Sequence, residues 1–319
     1  GSSGKTSVKD WISTILSSFF ITHSNYGNFN NQIGMPLSLA RMRKETEVCV
    51  LELGMNKPGE IAFLTEISKP DFSILTNVGP AHLGNFKNID EIVIEKSSIF
   101  KTSKKGISII PRDSLFFNLI NKLAKKHSKT VLSFGSHQCS DFKLIKSSKI
   151  SKELSELEFD LLGRKIKVKT QNHSIHHHMN ILLVLIITEL LQLNQAEIIQ
   201  QIYKLKPIIG RGSIHEIHFN EKKITLLDDS YNSNPLSLKA SLDNLNNIAS
   251  KKSRKICIIG DMLELGKKSQ DLHREIVEFI VENNIDVVFT IGKYTKIIQK
   301  NLPNSFYSKH FDDIHILYN

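Results

Sequence analysis

Gly1-Ser2-Ser3-Gly4-Lys5-Thr6 opens the chain and runs into the amphipathic stretch Ser7-Val8-Lys9-Asp10-Trp11-Ile12. Small residues followed by Lys-Thr read as the second half of a phosphate-cradling loop. Their backbone N–H groups can turn inward onto an anion. Lys5 would reach the β/γ-phosphates, and the Thr6 hydroxyl would sit on Mg²⁺. A helix over 7–20 would add the positive end of its dipole. The complete pattern needs a further Gly, and a strand before it, upstream of residue 1. The chain therefore reads as cut at this loop. A glycine-serine linker has the same look, so the motif needs support from the rest of the chain.

Support comes from the rhythm of the chain. The run Val48-Cys49-Val50-Leu51-Glu52-Leu53 reads as a buried strand closed by Gly54. Strands are expected over 72–77 and over 106–110, the latter stopped by Pro111. Helices over 91–100 and 115–127 lie among them. This is the β-α-β alternation of a mostly parallel sheet covered on both faces. Residues 132–169 alternate apolar and polar positions and predict a small antiparallel excursion. A helix over 178–193 comes next. A boundary falls near Lys206-Pro207, dividing 1–206 from 207–319. Beyond it, strands are expected over 224–227, 255–259 and 287–291, with helices over 236–248, 272–282 and 294–302. The chain then stops at Asn319 with no further element expected, which reads as a second truncation. The fold class is α/β: a phosphate-loop domain with a mostly parallel sheet, then a smaller Rossmann-like α/β domain.

Bulk composition narrows the function. The chain has 319 residues, 40% hydrophobic and 23% charged, a normal globular balance. Its net charge of +10 invites a nucleic-acid reading. The Lys, Asn and Ile surplus is spread evenly, as an AT-rich coding bias would give, so no nucleic-acid partner is expected. Some of that charge suits a polyanionic substrate. Cys49, Cys139 and Cys257 are far apart and form no C-x-x-C spacing, which argues against zinc and against a disulfide framework. A reducing cytoplasm fits. The apolar run 181–193 is broken by Glu189 and is too short for a bilayer, so no membrane insertion is expected.

Polar residues gather where strands end, and ligands of open α/β sheets sit at the carboxyl ends of strands. Glu52 is placed to hold Mg²⁺ there, directly or through water, although a solvent-facing Glu is equally ordinary. His82 lies in the turn Asn77-Val78-Gly79-Pro80-Ala81-His82, where a solvated imidazole is the plain reading. Lys96 sits among apolar helix neighbours and reads first as a lysine whose stem lies along the surface. Asp228-Asp229-Ser230-Tyr231-Asn232-Ser233-Asn234-Pro235 either caps the next helix or binds a ligand. Gly260-Asp261-Met262-Leu263-Glu264-Leu265-Gly266 comes directly after the next strand. These two loops are expected on one edge of one sheet, which would argue for a site.

In this order, these segments resemble the Mur ligase family over nearly the whole chain. The matching strings are the opening loop and the Asn-rich run Gly27-Asn28-Phe29-Asn30-Asn31-Gln32-Ile33-Gly34, then Glu52–Asn56, Asn77–Leu83 and Gly210-Arg211-Gly212. The Asp228 and Gly260 loops complete the set. The Asn-Asn-x-Ile-Gly, Asp-Asp-Ser-Tyr-Asn-x-Asn-Pro and Gly-Asp-Met-Leu-Glu-Leu-Gly strings are most similar to the family members that add a dipeptide.

The resemblance implies an ATP-dependent carboxylate–amine ligase. It would attach D-Ala-D-Ala to UDP-N-acetylmuramoyl-tripeptide in peptidoglycan precursor synthesis, as a cytoplasmic monomer using ATP and two Mg²⁺ ions. Gly1, Ser2, Ser3, Gly4, Lys5, Thr6 and Ser7 would hold the nucleotide, with Asn180 at the adenine and Arg211 and Asp229 closing from the second domain. Thr6, Glu52, His82 and Lys96, the last as a carbamate, would hold metal. Lys5, Lys96 and Arg211 would serve catalysis. Asn28, Asn30, Asn31, Tyr231, Asn232 and Asn234 would meet the acceptor substrates. Asn25 stands where the family has Thr, Ser98 where it often has Glu, and His177 where it has Asn. The family's N-terminal uridine-nucleotide domain and the first strand of the ATPase sheet are missing, so this stretch alone is expected to be inactive and poorly soluble. Another Mur-type ligase, a folylpolyglutamate ligase and a non-catalytic nucleotide-binding remnant are the alternatives.

Overall fold

The computed structural model describes residues 1–101, 106–151, 154–250 and 252–318. Packing divides the chain into two units. The first is Gly1–Val78 with Phe86–Leu205, and the second is Gly79–Asn85 with Lys206–Asn319.

In the first unit, α1 (Lys5–Leu16) starts at Gly4, whose φ of 78° is open to glycine at little cost. Then come β1 (Thr22–Ser24), α2 (Gly34–Ala40), β2 (Val48–Val50), α3 (Glu60–Ser68), β3 (Phe72–Ile74) and α4 (Ile89–Ser97). Next are β4 (Ile107–Pro111), α5 (Phe117–His127), β5 (Thr130–Gly135), β6 (Phe142–Lys149), β7 (Ser155–Leu161) and β8 (Arg164–Thr170). The unit ends with α6 (Ile175–Leu190) and α7 (Gln195–Lys204). β1 and β2 pair in parallel. The larger sheet runs β3-β4-β5-β6-β7-β8. Its first four strands are parallel, and β6-β7-β8 is the expected antiparallel excursion. α6 is apolar on every side from Ile181 to Ile187 because the core surrounds it. It packs with Trp11, Ile15 and Leu16 of α1 and with Phe142 and Phe159 of the sheet.

The second unit carries β9 (Ser213–Phe219), β10 (Lys222–Asp228), α8 (Pro235–Ile248), β11 (Ile256–Gly260), α9 (Ser269–Glu282), β12 (Val287–Ile291), α10 (Lys296–Asn301), β13 (Tyr307–Phe311) and α11 (Ile314–Tyr318). β11-β12-β13 is parallel, with a core of Leu242, Met262, Ile276, Ile280, Val288 and Ile298. The architecture is α/β with mainly parallel sheets. Among the described residues no helix is long and apolar enough to cross a membrane.

Several expectations are corrected. The strand over 48–53 pairs only at Val48–Val50, because the backbone of Glu52 bonds to the side chain of Asn25 instead of a neighbouring strand. The strand over 72–77 ends at Ile74. Pro111 ends β4 from within, since a terminal position needs no N–H from it. β10 pairs antiparallel with β9 and not with β11. The Asp228 and Gly260 loops therefore leave different sheets, contrary to the expectation of one shared edge. After α10, β13 and α11 extend the fold where no further element was expected; Asn319 itself lies outside the described residues.

Candidate functional site

The opening loop is held from below by residues just past β3. The backbone N–H of Ser2 donates to the Asn77 carbonyl and to Asn77 Oδ1, both at 3.0 Å, and Ser3 N–H donates to the same Oδ1 at 2.9 Å. Asn77 Nδ2 donates to Ser3 Oγ at 2.6 Å, and Thr76 Oγ1 donates to the Ser3 carbonyl at 2.7 Å. Gly1 fits so closely that a Cβ would fall 2.0 Å from Thr76 Oγ1. A Cβ on Gly4 would come within 3.0 Å of the Asn180 amide oxygen. Asn180, near the head of α6, thus abuts the loop. No acidic residue occupies the first turn of α1 and no side chain caps it. Its positive end is left to an anion.

Two lysines converge on this loop. Lys5 Nζ donates to the Gly1 carbonyl at 2.9 Å, and Lys96 Nζ reaches the same oxygen at 3.4 Å. Lys5, Lys96 and Glu52 each lie near enough to act electrostatically on the buried nitrogen of Gly1. Burial, reinforced by the charge of Lys5 and opposed by Glu95, lowers the Lys96 ammonium from its ordinary value to about 7. Glu95 itself faces the other way and accepts from Gly59 N and Ile61 N at the start of α3. Ser98 turns its hydroxyl back onto the Ile94 carbonyl at 3.2 Å.

Glu52 is 5% exposed. Its Oε1 accepts from Asn30 Nδ2 at 2.7 Å, while Oε2 is buried with no partner among the described residues. An orphaned carboxylate oxygen is costly and is what a hard divalent cation would relieve. The free carboxylate oxygen of Glu52 is thus of the kind that suits Mg²⁺.

Other residues expected at the site have plainer surroundings. Ser7 is buried at the start of α1. Asn28 is exposed. Asn31 Oδ1 accepts from Ile33 N and Gly34 N, turning the chain into α2. His177 is buried against Trp11, with ring centroids 5.5 Å apart.

In the second unit, His82 adopts φ of 62° and forms an ion pair with Glu264, itself at φ of 63°. The Gly84 N–H donates to the Glu264 carbonyl at 2.9 Å, and a Cβ on Gly266 would lie 2.6 Å from Gly84 Cα. This is why segment 79–85 packs with the second unit. Arg211 lies over the Tyr231 ring at 4.1 Å. Asp229 accepts from Ser241, and burial raises its carboxyl above the ordinary value. Ser230 holds Asp228 below it. Asn232 is exposed. Asn234 caps α8 in a reciprocal box with Ser237, so the capping role holds for its side chain. Sequence reasoning singled out the strings that hold Thr76, Asn77 and Glu264 but gave these residues no role of their own, and it missed the work of Asn25. For the first two the signal was present, as polar residues directly after a strand.

Comparison with known proteins bears on this arrangement. Residues 1–188 match the Mur ligase middle domain, and residues 214–315 match the Mur ligase, glutamate ligase domain. The UDP-N-acetylmuramoyl-tripeptide--D-alanyl-D-alanine ligase of Rickettsia prowazekii is 34% identical, over 98% of this chain and 69% of its own length. The ligase of the same name from Bacillus subtilis is 28% identical, over 96% and 64%. A crystal structure of MurF from Acinetobacter baumannii superposes with a TM-score of 0.87 at 27% identity, covering 98% of this chain and 66% of that one. The MurF ligase from Thermotoga maritima in complex with ADP gives 0.86 at 27%, covering 99% and 70%. The chain thus spans about two thirds of the length of the relatives it matches.

Proposed function

The chain belongs to the Mur ligase family, and from that premise we propose that it is the nucleotide-handling part of an ATP-dependent ligase joining D-alanyl-D-alanine to UDP-N-acetylmuramoyl-tripeptide. In this reading residues 1–206 form the ATP-binding domain and 207–319 the domain that closes on it. The protein works as a cytoplasmic monomer. One observation carries the reading: Lys5 and Lys96 converge on the Gly1 carbonyl ahead of an uncapped helix, and Glu52, with its orphaned carboxylate oxygen, lies within electrostatic reach of the same residue.

The chemistry needs such a cluster. A carboxylate does not accept an amine at neutral pH, because its oxygen leaves poorly. The γ-phosphoryl group of ATP moves to the terminal carboxylate of the tripeptide, giving an acyl phosphate and ADP. The amine of D-Ala-D-Ala attacks that carbonyl and loses a proton, and phosphate leaves. ATP and the carboxylate are both anionic, so their approach requires fixed positive charge. Lys5 and the start of α1 from Gly4 onward bind the phosphates, with Ser2 and Ser3 held in shape beneath them by Asn77. Asn180 borders the nucleotide. Arg211, held over Tyr231, and Asp229 are the second domain's residues for the nucleotide, and water must be kept out because it would hydrolyse the acyl phosphate. Asn28, Asn31, Tyr231 and Asn232 face the acceptor substrates.

Thr6, Glu52, His82 and a carbamate on Lys96 would hold two Mg²⁺ ions, which when bound neutralise phosphate oxygens. With the Lys96 ammonium lowered to about 7, about half the side chains are neutral at pH 7 and able to add CO₂.

Phosphate release by the whole protein tests the reading. It should require both the nucleotide-tripeptide and D-Ala-D-Ala, and Lys5→Ala should abolish it. Equal turnover with a single amino acid in place of the dipeptide would overturn it.

A further inference from the structure

A continuous line of bonds joins α1 to Glu52 through the Asn-rich loop. Lys9, 5% exposed on α1, donates from Nζ to the Asn25 carbonyl at 2.8 Å. Asn25, 1% exposed, grips the backbone of Glu52 in both directions. Its Oδ1 accepts from Glu52 N at 2.9 Å and its Nδ2 donates to Glu52 O at 3.0 Å. The same Nδ2 donates to the Phe29 carbonyl at 2.9 Å, closing the loop on itself. Asn25 thus does for Glu52 what a neighbouring strand does in a sheet ladder.

Asn30 governs the other end of the residue. Its Nδ2 donates to Glu52 Oε1 at 2.7 Å, and its carbonyl accepts from Gly54 N at 2.7 Å. A Cβ at Gly54 would lie 2.7 Å from Asn30 Oδ1, so the amide lies where any side chain at position 54 would intrude. The result is asymmetric. Backbone and one carboxylate oxygen are fixed, while the second oxygen stays buried and unpartnered. Folding would avoid that cost unless the free oxygen had a use, and hydrogen bonding the non-ligating part of a ligand is how surroundings orient a metal ligand.

We propose that Asn25 and Asn30 are positioning residues that present Oε2 of Glu52 to a divalent cation, so that loop 25–31 acts on the cation site through Glu52. This rests on the reading of Glu52 as a cation ligand. It gives Asn30 a different task from touching the acceptor substrate. It also makes Asn25 a built-in part of the site despite standing where the family has Thr.

Mn²⁺ binding to the whole protein with ADP, followed by the electron paramagnetic resonance of free Mn²⁺, tests the proposal. Asn30→Ala should weaken Mn²⁺ about tenfold or more with metal-free ADP affinity and Tm nearly unchanged. Gly54→Ala, which displaces the Asn30 amide while leaving Asn30 and Glu52 in the sequence, should do the same. Asn25→Ala risks unfolding, so Asn25→Thr is the informative change, and a smaller loss is expected from a hydroxyl that replaces only some of the bonds. Should Glu52→Gln weaken Mn²⁺ while Asn30→Ala and Gly54→Ala bind it like the parent, the positioning role is wrong and the ligand reading survives. Should Glu52→Gln leave Mn²⁺ binding intact, the ligand reading falls and the proposal with it. Equal losses in metal-free ADP affinity and in Mn²⁺ affinity would reduce Asn30 to a structural residue and overturn the proposal.

Discussion

Lys96 is 4% exposed, and its nearest charge of like sign, on Lys5, shares the Gly1 carbonyl with it. Both facts favour the neutral amine, the form that adds CO₂. The proposed carbamate is therefore testable apart from turnover. Protein equilibrated with ¹³C-bicarbonate should show a carbamate carbon resonance that Lys96→Arg lacks, since guanidinium stays protonated. The resonance should weaken as pH falls below about 7, where the amine takes up its proton. A signal that persists in Lys96→Arg would sink the assignment. Nothing adjacent to Lys96 in sequence announces this chemistry. Its neighbours Ile94, Glu95 and Ser97 read as an ordinary helix, and Lys5 lies far away along the chain. The cause is spatial, so only a resemblance or a structure could reveal it. Glu52 is the opposite case. A carboxylate at the end of an apolar run was conspicuous, and the structure adds the reason it points one way.

At the scale of elements, the opening loop is rigid because the chain just beyond β3 supplies its partners. Asn77 alone accepts two loop N–H groups on its side chain and donates to Ser3 Oγ. Asn77→Ala removes all three side-chain bonds, leaving Ser2 only its bond to the backbone carbonyl of residue 77, and frees the loop to lose the shape that presents the start of α1 to the phosphates. At roughly 1 kcal/mol for each net bond, ADP affinity should fall about tenfold or more in calorimetry, with Tm lowered modestly. An unchanged ADP affinity would mean that the loop holds its shape without Asn77. The long helices and strands β4, β6, β7 and β8 were legible because their periodicity is strong and extends over several residues, whereas residues 132–135 of β5 were grouped with the antiparallel excursion although β5 pairs in parallel with both neighbours. β1, with three residues, carries too little pattern to read. The 48–53 run was misjudged because a side-chain amide replaces the strand partner, and hydropathy does not record that. β9–β10 was misread for a related reason: its residues are mostly exposed, so pairing, not burial, defines the hairpin. α7 was overlooked although Asn194, whose side chain accepts from Ala196 N, is a capping signal visible in the sequence.

Each unit of the molecule holds a buried histidine whose surroundings lower its affinity for a proton, and both contribute to the response to acid. In the first unit His178 is 1% exposed, with Nε2 bonded to the Asn172 carbonyl at 2.9 Å. Burial lowers it to about 4, the Asn172 bond opposing and nearby His173 adding to the effect. In the second, His273 is fully buried. Its Nε2 accepts from Met262 N at 3.0 Å and its Nδ1 faces the Ser269 carbonyl at 2.6 Å. The ring is thus satisfied only when neutral, and a second proton would point at the Met262 N–H. Burial lowers this histidine too, against the opposing Ser269 bond and Asp261 charge. Because the unfolded chain takes up these protons first, the folded state loses stability as pH falls below 6.5, and for His178 the loss continues towards pH 4. For His178 the loss amounts to about 3 kcal/mol. Trp11 is the single tryptophan, buried in the first unit, so its fluorescence reports that unit alone. Urea midpoints read from Trp11 should fall steadily between pH 6.5 and 4. His178→Gln, which can still donate to Asn172, should flatten that slope. A Trp11 slope identical in the variant would assign the acid sensitivity of the first unit to other groups.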